Sequence, residues 1–273
     1  MTYSISGKTA IVTGAANGIG LAIARHFIER GANVMFADID EGKLESELGD
    51  LTREEGPARY FAGDLCQKLT IANLVSATVD AFDRIDILVN ASRQVALSDP
   101  LCSDDTPIEA MLRQNVMAGL KLSQSVARRM VAQAARETAE GSGTAGSIGS
   151  IVNLSNIAGQ RVQPELLAYS VAMAALDQTT RSLAVAYAPH KIRVNAVAFG
   201  SVMSMSLQNG CREHSEWRGQ IVAGTPMGRI APASELAEAV QFLASDAAGF
   251  VTGQILTVDG GRTLIDAVQV PGH

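Results

Sequence analysis

Between Thr13 and Gly20 the chain reads Thr-Gly-Ala-Ala-Asn-Gly-Ile-Gly, after the apolar run Thr9-Ala10-Ile11-Val12 and before Leu21-Ala22-Ile23-Ala24-Arg25-His26-Phe27-Ile28. The spacing predicts strand, tight turn and helix. Gly14, Gly18 and Gly20 lack a β-carbon, so a pyrophosphate can approach the first N–H groups of the helix, whose dipole favours negative charge. Asp38 ends the next apolar run, about 20 residues on, where a dinucleotide fold places the acid that bonds the adenosine ribose. A carboxylate there repels a 2′-phosphate. Apart from Lys43, no Lys or Arg stands in the turn or just after Asp38, so the residues favour NAD(H) over NADP.

These groups need a scaffold, and the chain supplies alternating apolar strands and amphipathic helices. Strands are expected at Asn33–Asp38, Arg59–Ala62 and Ile85–Asn90, with helices over Glu41–Glu55 and Thr70–Phe82. Thr106-Pro107 opens a long helix whose apolar stripe contains Asn115, an amide that either satisfies nearby backbone or belongs to a site. Residues 140–149 are small and polar and read as a flexible, non-catalytic loop at the far edge of the sheet. A fifth strand, Ser150–Leu154, precedes Ser155-Asn156; Tyr169 opens a helix with the stripe Met173, Leu176, Thr180, Leu183 and Tyr187; Arg193–Ala198 is the sixth strand. The stretch 200–224 reads as an irregular lid with Met203, Met205, Leu207 and Trp217, followed by a helix over Ser234–Ser245 and a strand over Gln254–Val258. The alternation implies one α/β domain over residues 1–273, a doubly wound parallel sheet with helices on both faces and its functional groups at the carboxyl ends of the strands.

The composition bounds the partners. With 273 residues, 47% hydrophobic and 18% charged, the chain reads as globular and able to bury a core. A formal charge of -6 disfavours nucleic acid and anionic membrane, and no long apolar run or secretory pattern appears, so a cytoplasmic location is expected. Cys66, Cys102 and Cys211 suggest no disulfide framework, and His26, His190, His214 and His273 suggest no metal site.

Along essentially its full length the sequence resembles the short-chain dehydrogenase/reductase family. The resemblance rests on Thr13–Gly20, Asp38, Asp64-Leu65, Leu88-Val89-Asn90-Ala91, Asn115, Ile151–Ser155, Tyr169, Arg193-Val194-Asn195, Thr252-Gly253 and Asp259-Gly260-Gly261. It implies a Rossmann-like, seven-stranded parallel sheet, a nicotinamide cofactor, and self-association into tetramers or dimers through the helices that hold Asn115 and Tyr169. It also implies a cofactor held by Gly14, Asn17, Gly18, Ile19, Gly20, Asp38, Asp64, Leu65, Asn90, Tyr169, Gly200 and Val202. Of the family's four chemical residues, asparagine and tyrosine are matched by Asn115 and Tyr169. The lysine position holds Met173 and the serine position Asn156. Ala91-Ser92-Arg93 and Phe199-Gly200 depart from the family's Asn-Ala-Gly and Pro-Gly.

A thioether can neither lower the tyrosine pKa nor hold a ribose. At an ordinary pKa near 10, only about one molecule in a thousand carries tyrosinate at pH 7. Oxidation of an alcohol needs that base, whereas reduction needs only the neutral phenol. The resemblance therefore implies a weak or reduction-biased oxidoreductase for a small carbonyl or secondary alcohol. Tyr169 is the acid, Asn156 an oxyanion donor, and Arg93 a candidate substitute for the lysine. A second expectation is a non-catalytic NAD-binding scaffold, sensor or partner subunit.

Overall fold

The computed structural model describes residues 2–49, 56–102, 107–142, 146–266 and 268. Seven parallel strands form one sheet: β1 (Thr9–Thr13), β2 (Asn33–Asp38), β3 (Ala58–Ala62), β4 (Ile87–Asn90), β5 (Gly149–Asn156), β6 (Ile192–Phe199) and β7 (Ile255–Val258), in the order β3-β2-β1-β4-β5-β6-β7. Every residue of β1, β4 and β6 is buried, as expected for parallel strands covered on both faces. The order reverses between β1 and β4. There the connections leave the sheet in opposite directions and open a crevice at the strands' carboxyl ends.

Alternation along the strands divides the core in two. Val12, Phe36, Val89, Val152 and Val197 pack with Ile23 and Phe27 of α1 (Gly18–Glu29) and Leu236 and Val240 of α9 (Ala233–Ala244). Leu44 and Leu48 of α2 (Glu41–Leu48) join this layer. Ile11, Met35, Leu88, Ile151 and Val194 face the other way, against α3 (Lys68–Phe82), α5 (Ala118–Ala139) and α6 (Leu167–Tyr187). A third cluster lies between α4 (Pro107–Leu112) and α6: Met111, Val116, Ala158, Ala168, Tyr169, Ala172, Met173 and Leu176. It forms the floor of the site.

Several expectations change in detail. The helix expected from Glu41 is described as far as Leu48, and residues 50–55 lie outside the described residues. The helix expected from Thr70 starts at Lys68, and that expected from Tyr169 starts at Leu167. Thr106, expected to open the long helix, lies outside the described residues, as do 143–145 of the expected flexible loop. The long helix is interrupted: Arg113–Met117 is a π-helical turn between α4 and α5, carrying Asn115. The stretch 200–224 is mostly helical, with α7 (Met205–Glu213) and α8 (Trp217–Ala223). Ser204 caps α7 by accepting the Leu207 N–H. Gly210 sits inside that helix because a β-carbon would lie 2.6 Å from the Trp217 ring. A glycine in mid-helix reads as a breaker until its packing partner is known.

Candidate active site

At the β1 side of the crevice the backbone does most of the work. Gly14 has φ +66° and Gly18 φ +56°, and a β-carbon on Gly20 would stand 2.1 Å from the Gly14 carbonyl oxygen. Asn17 precedes α1 without a side-chain cap, so the first-turn N–H groups keep their capacity for an anion. Space above Gly18 is open as far as the Met205 nitrogen at 4.0 Å, which places the start of α7 over the turn. Thr13 Oγ1 accepts the N–H groups of Ala91 and Ser92, both at 3.0 Å, and so joins β1 to the loop after β4.

Asp38 is fixed as an acceptor at the end of β2. Its Oδ2 takes the Ala16 N–H at 3.0 Å and its Oδ1 those of Ile39 and Asp40. Lys43, the cation that follows Asp38 in the sequence, is ion-paired with Asp40. Asp64 closes the turn after β3 by accepting the Cys66 N–H, and Leu65 reaches the wall of the central cavity. Asn90 Nδ2 donates to Ser123 Oγ and Asn153 Oδ1, and Asn153 Nδ2 donates to Thr180 Oγ1, a chain that ties β4, β5, α5 and α6 together.

Around β5 the side chains take over. Asn115 Oδ1 accepts the Gln94 N–H at 2.8 Å and its Nδ2 donates to the Gln94 carbonyl at 3.0 Å. The amide thus satisfies nearby backbone, and Asn115 also lines the central cavity. By clamping Gln94, Asn115 also sets the position of its neighbour Arg93. π-Turns of this kind are frequent at functional sites, because the extra residue re-aims one side chain.

Tyr169 is 2% exposed, and its hydroxyl has no hydrogen-bond partner among the described residues. Burial pushes its pKa above that of an ordinary phenol, and the nearby Arg93 guanidinium offsets part of that rise. Met173, one helical turn on, is fully buried in the α4–α6 cluster. A cavity of ≈ 20 Å³ lies against Asn90, Arg93, Asn115, Leu154 and Met173. That is room for about one water molecule.

Asn156 Oδ1 accepts the Ala158 N–H at 2.9 Å, leaving its Nδ2 donors without a protein partner among the described residues. Ser155 offers no replacement. The ladder of β5 and β6 runs in unbroken register through Ser155↔Ala198 and Asn156↔Phe199, so no bulge turns Ser155 toward the crevice. Its fully buried hydroxyl faces Asp177, whose carboxyl burial pushes upward in pKa and Ser155 draws back down.

Arg93 lies over the Phe199 ring, with its guanidinium carbon 4.5 Å from the ring centroid. The two departures from the family pattern beside the cofactor are thus in contact with each other. The sequence flags both positions but not their pairing, which spans more than 100 residues and only the sheet order reveals. The hydroxyl of Thr13 and the backbone of Gln94 carried no signal, since their roles depend on which loop folds over them. Gly200 and Val202 lie beyond β6, outside the central cavity: Gly200 packs where a β-carbon would meet Ile157, and Val202 bridges to Ala231.

The profile of the enoyl-(acyl carrier protein) reductase family matches residues 14–263. The chain is 36% identical over 266 residues to the cis-4-hydroxycyclohexanecarboxylate dehydrogenase of Sinomonas cyclohexanicum, covering 97% of this chain and 100% of that protein. It superposes on the crystal structure of a gluconate 5-dehydrogenase from Burkholderia cenocepacia in complex with NADP and tartrate, with TM-score 0.83, 27% identity, and 97% and 98% of the two chains covered. A 7α-hydroxysteroid dehydrogenase complexed with NADH and 7-oxo glycochenodeoxycholic acid gives TM-score 0.83, 28% identity and 95% of each chain covered. Sheet order, glycine turn and full-length similarity agree, and the chain belongs to the short-chain dehydrogenase/reductase family of oxidoreductases.

Proposed function

We propose that the chain is an NADH-dependent carbonyl reductase that works best in the reductive direction, with Tyr169 as a neutral proton donor. The observation that carries this reading is the Tyr169 hydroxyl: buried, without a hydrogen-bond partner among the described residues, and held protonated by its surroundings. The glycine turn, the uncapped start of α1 and Asp38 fit the pyrophosphate and adenosine of the cofactor, and Asp38 opposes a 2′-phosphate. Asp64, Leu65, Asn90, Gly200 and Val202 complete the expected enclosure. Bound there, a reduced nicotinamide supplies hydride; the protein's part is to place the carbonyl oxygen against Tyr169 Oη and Asn156 Nδ2. Asn115 positions the loop and is not assigned a chemical step.

The test is NADH oxidation against a panel of ketones, with NADPH in parallel. Turnover with NADH at least about tenfold above NADPH is expected, and Tyr169→Phe should lower kcat by about 10²–10⁴. Because the lost hydroxyl leaves no partner behind, the melting temperature should hold or rise. NADH binding with no turnover on any ketone would favour the non-catalytic scaffold, the reading that Met173 in its apolar cluster suggests. Self-association belongs to the same proposal: Val185, on the outer face of α6, is 78% exposed, which suits a contact between copies.

A further inference from the structure

We propose that Arg262, on the turn after β7, is a positioning residue: it locks a strained hinge at Ser201 and so holds the lid helix α7 over the cofactor turn. The inference rests on the reading of the glycine turn as the NADH site. Three non-glycine residues among those described adopt positive φ. Asp83 and Lys191 do so where α3 and the 3₁₀ turn after α6 stop, a place where left-handed residues are ordinary. Ser201, at φ +63°, does so in the loop between β6 and α7. A residue with a β-carbon rarely takes that conformation, and it persists only where the surroundings over-determine it.

The surroundings here are of two kinds. Backbone holds the loop on either side of the hinge: the Gly200 N–H donates to the Val258 carbonyl at 3.3 Å, the Ala231 N–H to the Ser201 carbonyl at 3.0 Å, and the Met203 N–H to the Ala231 carbonyl at 2.8 Å. The hinge side chain is held by Arg262, whose Nη1 donates to Ser201 Oγ at 3.0 Å across 61 residues of sequence. Arg262 is itself aimed by its turn. Asp259, 8% exposed, accepts the N–H groups of Gly261 and Thr263 and so fixes the backbone on both sides of Arg262. Beyond the hinge Ser204 caps α7, and the Met205 nitrogen lies 4.0 Å from the place of a Gly18 β-carbon. A rotation of Ser201 to negative φ re-aims the chain that leads into Met205 and carries the start of α7 off the turn. With Arg262 in place that rotation breaks a hydrogen bond to a charged group; without it the strain at Ser201 favours opening.

Amide hydrogen exchange on the cofactor-free protein and titration with NADH, followed by its own fluorescence, test the lock together. In Arg262→Ala, exchange over Met205–Glu213 should quicken about tenfold or more, the effect of one hydrogen bond to a charged group, while α3 and α5 keep their rates. NADH should bind about tenfold more weakly, chiefly through faster dissociation. Ser201→Ala keeps the β-carbon and removes the acceptor; it should do the same, and it carries the test if Arg262→Ala does not fold. Glycine is at ease at positive φ, so adding Arg262→Ala to a Ser201→Gly background should change both readouts by less than about twofold. An arginine that merely supports the fold would keep its full effect there. Unchanged α7 exchange in Arg262→Ala, quickening spread evenly over the chain, an undiminished effect in the Ser201→Gly background, or quickened exchange with undiminished NADH affinity overturns the proposal. Quickened α7 exchange in a protein whose parent binds no NADH keeps the lock and overturns the cofactor reading it rests on.

Discussion

The two ends of the crevice are built on different principles. At the β1–β2 end, specificity resides in backbone: glycines that admit no side chain, N–H groups left uncapped, and one carboxylate whose oxygens are held by three loop amides. At the β4–β6 end it resides in side chains, and among the described residues these are unfinished: a phenol without a partner, an amide with free donors, an arginine without an acid, and a methionine at the family's lysine position. A backbone site tolerates drift elsewhere in the sequence because few side chains define it. A side-chain site can be rewritten by a few substitutions while the fold and the cofactor cradle stay intact.

The contrast breaks most sharply at Gly20. In Gly20→Ala the new β-carbon meets a carbonyl oxygen at 2.1 Å, and no flexible side chain can yield. Overpacking of this kind costs about 1–3 kcal/mol of stability. Displacement of the turn should weaken NADH by about 100-fold, or about 2.8 kcal/mol. Paired thermal unfolding and NADH titration check both. An alanine variant with unchanged affinity would mean that the turn is not where the pyrophosphate binds.

Restoring the missing groups sharpens the other side. Met173→Lys with Asn156→Ser places an ammonium one helical turn from Tyr169 and a hydroxyl at the end of β5. Turnover should rise by about 10²–10⁴ if the rest of the geometry is competent, most of all for alcohol oxidation. Met173 is fully buried beside the Arg93 cavity, so the double variant should also melt at a lower temperature. An inert double variant, with a parent that turns over ketones, would show that this site works by a different set of groups.

How much of this was legible beforehand follows the same division. The turn, Asp38 and the alternation of strands and helices are local patterns, set by backbone conformation and by which residues face the core, so the sequence displays them. The helices α7 and α8 were hidden because Gly210 and the polar residues around it read as a loop; only the Trp217 ring explains the glycine. The clamp of Asn115 on Gln94 and the stacking of Arg93 on Phe199 depend on the π-turn and on the sheet order. Neither leaves a periodic trace in one chain.

The pH profile distinguishes the two directions of reaction. Tyr169 titrates above its ordinary range because burial disfavours the phenolate. Reductive turnover should therefore stay flat from about pH 6 to about pH 9, while oxidation rises about tenfold per unit over the same range. The sign for stability is the same as for any acid whose pKa is raised on folding. The contribution is complete below the free phenol value of about 10 and is lost as pH rises through the folded value, where the unfolded chain has already released its proton. Tyr169→Phe should abolish that alkaline loss, and thermal unfolding at stepped pH measures it. An oxidative limb that reaches its plateau near neutrality would show that Arg93 outweighs burial.

The smallest effect is expected at Ser155, which stands beside Asn156 at the side-chain end of the crevice. Ser155 and Asn156 are neighbours on β5, and the unbroken ladder with β6 turns them to opposite faces. Ser155 is fully buried toward Asp177, whereas Asn156 keeps free donors at the strand's end, with no protein partner among the described residues. Asn156→Ala should lower reductive kcat by about tenfold or more, as loss of an oxyanion donor does. Ser155→Ala should change it by less than about twofold and act on stability instead, raising the Asp177 pKa further by removing the hydroxyl that draws it down. Acid-range unfolding would record that shift, since Asp177 titrates above ordinary carboxylates and its protonated form is the one the fold prefers. If Ser155→Ala abolished turnover and Asn156→Ala did not, the strand would have to shift its register by one residue to act, and the assignment of every group at the end of β5 would move with it.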